Sequence, residues 1–142
     1  MDERAAWNEQ RRRAIDEHAA ALAAGQQAEA RQAADLLSSF VRRAAERGLA
    51  PHPLTARSFD GHATYRTRAR GWYLKSNRSV AVGEHGEYYV LTVPSSWRAR
   101  FAGADLSPST PKLIVGAGGG DGETIPLARL LDQRLDAGVT WP

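Results

Sequence analysis

Residues 77–93 read NRSVAVGEHGEYYVLTV, two runs of β-branched and aromatic residues around Gly83-Glu84-His85-Gly86. Valine and tyrosine suit a pleated, half-buried surface, and a short glycine-containing break between two such runs signals a hairpin. Gly86 suits the left-handed backbone position of such a turn. Pro94 ends the second strand, and Ser95 or Ser96 can then cap a short helical turn in SWRARF. The hairpin makes the body of the chain β-rich and antiparallel.

Upstream, HATYRTRARGWYL (62–74) alternates over part of its length, so strands are expected across 62–93. Downstream, Ser107-Pro108 and Thr110-Pro111 mark a loop over 106–111, and KLIVG (112–116) reads as a short strand. Pro126 is suited to the first position of a C-terminal helix, with Leu127, Leu130, Leu131 and Leu135 as its buried face.

The N-terminal third has a different texture. Residues 3–48 lack proline and consist largely of Ala, Arg, Glu, Gln and Leu, all strong helix formers. An apolar or small stripe runs through Ile15, Ala19, Leu22, Ala30, Ala33, Leu37, Phe40 and Ala44 at helical spacing, broken between Leu22 and Ala30. Gly25-Gln26-Gln27 lies in that gap. A hairpin of two helices would need a cap there, and no Ser, Thr, Asp or Asn stands near Gln27, so a continuous or kinked helix is favoured. Gly48 is placed to end it, and Pro51 and Pro53 block its continuation.

The predicted fold class is therefore α+β. A long N-terminal helix (or helical hairpin) occupies residues 1–50, and a body of residues 51–142 holds a small antiparallel β-sheet of about three to five strands and a C-terminal helix. With 42% hydrophobic and 25% charged residues the chain has the composition of a folded domain, not of a disordered one.

Several chemistries are excluded or left without support. There is no cysteine, hence no disulfide, thiolate metal site or cysteine nucleophile. His18, His52, His62 and His85 show no metal-ligand spacing. The glycine-rich run Gly116–Gly122 breaks the dinucleotide pattern at Asp121 and lacks the Lys-Ser or Lys-Thr of a phosphate loop, so it reads as a turn. Asp121 and Glu123 make one carboxylate pair, too few oxygens for a metal. No GxSxG or similar nucleophile turn is present. A non-enzyme without cofactor or evident small-molecule substrate is expected. MDERAAWNEQRRR lacks the apolar core of a signal peptide, and no apolar run is long enough to span a bilayer, so a cytoplasmic protein without a membrane partner is expected.

Two surfaces remain as candidates. The first is the N-terminal helix. Trp7, Ile15 and Leu22 form a thin stripe that extends beyond what a small sheet can cover, which points to a protein partner or to self-association as a coiled-coil-like homodimer. The second lies in residues 51–100, which carry net +5 against 0 for residues 1–50 and −2 for 101–142. On a strand, Arg66, Arg68 and Arg70 share one face, with Lys75, Arg78 and several aromatic residues nearby. Such a face can hold phosphates and stack bases, or it can be a solvated face that resists edge-to-edge aggregation. Of the four tryptophans, Trp72 and Trp97 are expected in or beside the core, whereas Trp7 and Trp141 must dock or stay exposed.

Overall fold

Strong helix formers carry the N-terminal residues into one unbroken helix, α1 (Asp2–Glu46), about 68 Å long at roughly 1.5 Å per residue. Gly25 does not break it: no side chain presses on that position, and a Cβ added there would meet nothing within 4 Å. The hairpin alternative is thereby removed. The helix ends as a Schellman motif. Gly48 takes φ +71°, its N–H donates to the Ala45 carbonyl (3.1 Å), and the Leu49 N–H donates to the Ala44 carbonyl (2.9 Å). The computed structural model describes residues 2–116 and 124–141; most of the glycine-rich run, with Asp121 and Glu123, lies outside them.

Five strands follow in sequence: β1 (His52–Ser58), β2 (Thr64–Tyr73), β3 (Val80–Gly83), β4 (Tyr88–Val90) and β5 (Thr92–Val93). Their spatial order is β4-β3-β2-β1-β5, antiparallel except for the β1–β5 pair. The two ends of that order are consecutive pieces of one segment, 88–93, parted only at Leu91. That segment pairs with β3 on one side and β1 on the other, so the ring of pairings closes. The Arg57 and Phe59 amides donate to the Leu91 and Val93 carbonyls (2.8 and 2.9 Å), while the Leu91 amide turns back to Ser79 (2.8 Å).

β1 was not anticipated from sequence, because Pro51 and Pro53 read there as a break. Pro53 is tolerated because β1 has only β2 beside it at that end, and β5 joins it only at Arg57 and Ser58. The β3–β4 hairpin forms at the predicted place, with Gly86 at φ +88°.

Alternation along the strands sends neighbours to opposite cores. Leu54, Tyr73, Ala81, Tyr89 and Leu91 fill the inside of the ring. Trp72, Leu74, Val80, Val82 and Tyr88 face outward and are covered by Ala33, Leu37, Phe40 and Ala44 of α1 and by the leucines of the C-terminal helix. Val80-Ala81-Val82 is buried throughout because both faces of β3 are covered. Phe40 meets Trp72 edge-on, centroids 5.5 Å apart.

A short helix, α2 (Trp97–Ala102), is capped by the Ser96 hydroxyl, which accepts from the Ala99 N–H (3.3 Å). It corrects one expectation: Trp97 is 77% exposed and not part of the core. Ala99 of this helix is buried, and a position two residues earlier lies about 200° around the axis. Beyond it, β6 (Ile114–Val115) pairs with β7 (Ile125–Pro126), and α3 (Leu127–Ala137) packs against α1. Pro126 stands one place before the first helical residue, and the four leucines of α3 are buried as predicted.

Candidate functional sites

The first site begins where α1 leaves the body. Glu29 is the outermost tie, its carboxylate accepting from the Leu113 N–H (3.1 Å). Every residue from 2 to 28 is exposed, so a stem of about 40 Å projects from the domain. Trp7, Ile15 and Leu22 are 58%, 59% and 56% exposed. At about 100° per residue they fall within an arc of about 80°, with Arg11 and His18 between them. The Arg11 guanidinium lies 5.4 Å from the Trp7 ring centre, and Arg13 pairs with Glu9 at 3.0 Å. This arc continues the face that α1 buries against the sheet.

The second site is the arginine row. β2 places Arg66, Arg68 and Arg70 on one exposed face, as the period of two requires, while Tyr65, one residue before the row, is buried. A bulge re-aims this strand: the register steps two residues along β1 but four along β2, from Arg70 to Arg66. Thr67 fills the irregularity, donating to the Leu54 carbonyl (2.6 Å) and accepting from the Ala69 N–H (3.2 Å). The row borders two shallow hollows of about 290 and 330 Å³. Glu84, Glu87 and Asp105 line the same hollows. The other two predicted members lie elsewhere. Lys75 is buried beside Ile125, Leu130 and Trp141, and Arg78 stacks over Tyr73 at 5.3 Å.

The third site was not found by sequence reasoning. A groove of about 500 Å³ lies between the end of α1, the start of β1 and the end of α3. Tyr73 stands in it with its hydroxyl fixed, accepting from the Thr55 N–H (3.0 Å) and lying 3.2 Å from Thr55 Oγ1. Arg134 lines it too, at 2% exposure, stacked 5.0 Å from the Trp141 ring centre. Burial lowers the Arg134 pKa, although a guanidinium keeps its charge at any ordinary pH. The signal was present in the spacing: Leu130 and Leu131 stand three and four residues after Leu127, and Arg134 stands four and three residues after them, so the arginine falls on the buried stripe.

Other perturbed groups are structural. The Ser58 hydroxyl and the His62 N–H hold the Asp60 carboxyl below its ordinary value, and burial raises the Tyr88 and Tyr89 phenols. Among the described residues no group of three His, Asp or Glu could hold a metal ion, and no helix is long and apolar enough to cross a membrane. No family model, no curated protein and no solved structure matches this chain.

Proposed function

We propose that this is a non-enzymatic interaction protein that self-associates through its projecting helix, two copies pairing antiparallel over residues 2–28. The observation that supports the reading is the exposed stripe itself: three large apolar side chains on a stem whose described residues, 2–28, are all exposed. Its spacing is self-complementary. If the dyad falls between Ala14 and Ile15, Trp7 of one copy comes level with Leu22 of the second. Arg12 and Arg13 come level with Glu17 and Asp16. The stem carries five acidic residues and four arginines, so two copies do not repel strongly. Closed twofold pairing also satisfies both apolar stripes without leaving a free end for further growth.

Sedimentation of the full chain tests the reading. A dimer is expected that dissociates in Leu22→Arg, whereas a monomer at high concentration overturns it. Because the chain has no cysteine, register can be read by mixing Arg11→Cys with His18→Cys under oxidising conditions. The antiparallel pair gives the mixed disulfide; a parallel pair gives only the two self-linked products.

A second reading, contact with a nucleic-acid backbone, draws on the shared exposed face of Arg66, Arg68 and Arg70. It is the less favoured because three carboxylates border that face, and Lys75 and Arg78 line other hollows. It predicts binding whose logarithm falls linearly with log salt and which vanishes when the three arginines become alanine.

A further inference from the structure

The groove beneath Trp141 contains an electrostatic anomaly. Arg43 in the last turn of α1 and Arg47 just beyond its end, both substantially exposed, reach Asp132 and Asp136 at 3.2 and 3.8 Å. Arg134 lies between those two aspartates in sequence, is almost completely buried, and has no carboxylate within ion-pair distance among the described residues. Its Nη1 donates to the Gly138 carbonyl (2.8 Å), and its Nε is buried with no acceptor. The neighbouring Trp141 Nε1 is likewise buried with no acceptor. Burying a cation without a counter-charge is among the least favourable arrangements in a protein, and two orphaned donors beside it add to the deficit.

The rest of the groove bears on what would correct this. Among the described residues no Asp or Glu lines it. Arg78 stands at its edge; it is the single described non-glycine residue with positive φ (60°), and its guanidinium lies over the Tyr73 ring. The His52 imidazole also lines the groove. The walls are apolar or aromatic: Leu49, Pro53, Tyr73 and Trp141. A space of about 500 Å³ is the size of a small-molecule site.

We propose that this groove binds a small organic anion, a carboxylate or phosphate head on an apolar or aromatic body. The head sits against Arg134 with Arg78 closing over it, and the body lies between Tyr73 and Trp141. The anion supplies the missing counter-charge, and the flat walls supply contact area. This site is separate from the projecting helix and does not depend on self-association.

The test is titration of the full chain with phenyl phosphate and with benzoate, followed by the indole N–H resonances, Trp141 being assigned from Trp141→Phe. At least one probe is expected to shift the Trp141 signal, and which one does so separates a phosphate from a carboxylate site. Benzyl alcohol, which has the ring but no charge, should not shift it. Arg78→Ala should weaken binding about tenfold, the loss of one charge-assisted contact, at unchanged melting temperature. Arg134→Met keeps the volume and removes the unpaired charge, so it should abolish binding without lowering the melting temperature. The proposal is overturned if neither probe moves the Trp141 resonance at millimolar concentration. It is equally overturned if benzyl alcohol moves that resonance as far, or if both arginine variants bind like the parent.

Discussion

The two halves of α1 are helical to the same degree and differ in almost everything else. Residues 29–46 bury Ala33, Leu37, Phe40 and Ala44 completely; residues 2–28 bury nothing. Both are rich in alanine and in strong helix formers, so local propensity suffices for the helix in each. Docking requires more: large apolar side chains on successive turns. The inner half has Leu36, Leu37, Phe40 and Val41 within two turns, whereas the outer half spreads Trp7, Ile15 and Leu22 over four or more. Helix formation and helix burial are thus separate questions, answered in this molecule by different residues.

The sharpest way to break that contrast is Phe40→Ala. Deleting a fully buried aromatic that meets Trp72 should cost about 3–5 kcal/mol and shift the urea midpoint of the whole domain. A cost below about 1 kcal/mol would mean that the inner half is not held as described. Gly25→Pro should come next. It disrupts the helix locally by about 3 kcal/mol, so the helical circular-dichroism signal falls, yet the urea midpoint of the body should hold. A body that unfolds with the stem would erase the distinction between the halves. Gly25→Ala acts in the opposite direction and is smaller, about 1 kcal/mol of local helix stability, since open space surrounds the added methyl group. It should slow amide exchange around residue 25 and leave the midpoint alone. Trp7→Ala should change the stability of the dilute monomer by no more than about 0.5 kcal/mol while weakening self-association, which sedimentation would separate.

A pH titration provides a reference outside the helix. The folded-state pKa of Asp60 is lower than its unfolded value, chiefly through the Ser58 hydroxyl and then the His62 N–H. Its contribution is therefore complete above the ordinary value of 3.8 and is lost as pH falls through the lower folded value. Asp60→Asn should flatten that acid limb slightly, as expected for an exposed group, without altering either half of α1.

Elements with local signals were legible in the sequence. Gly48 and Gly86 mark a helix end and a hairpin turn through their backbone freedom, and Ser96 caps α2 with its own hydroxyl. The leucines of α3 identify their face by spacing. β1 was illegible because its inward residues include Ala56 and Ser58, too small to register as a hydrophobic alternation, and because Pro53 disguises it. The shared face of Arg66, Arg68 and Arg70 followed from the period of two. Lys75 and Arg78 could not be placed that way, since β2 ends at Tyr73 and the period ends with it. Trp97 is not legible from its bulk: on a helix of six residues, direction around the axis decides burial, and Trp97 faces solvent.

The closed ring of strands has one weak clasp. β1 and β5 pair over two residues only, Arg57 with Thr92 and Ser58 with Val93, whereas β1 and β2 pair over five. Thermal opening should begin there, and the Arg57 and Phe59 amides, which bond across the clasp, should exchange before those of the β3–β4 hairpin. While the clasp is shut, β1 and β5 cover each other's edges. Once it parts, both edges become bare together, and one molecule then presents two templates on which another chain could add a strand. Two hydrogen-bonded residues thus stand between a self-sealed sheet and one that can recruit its neighbours.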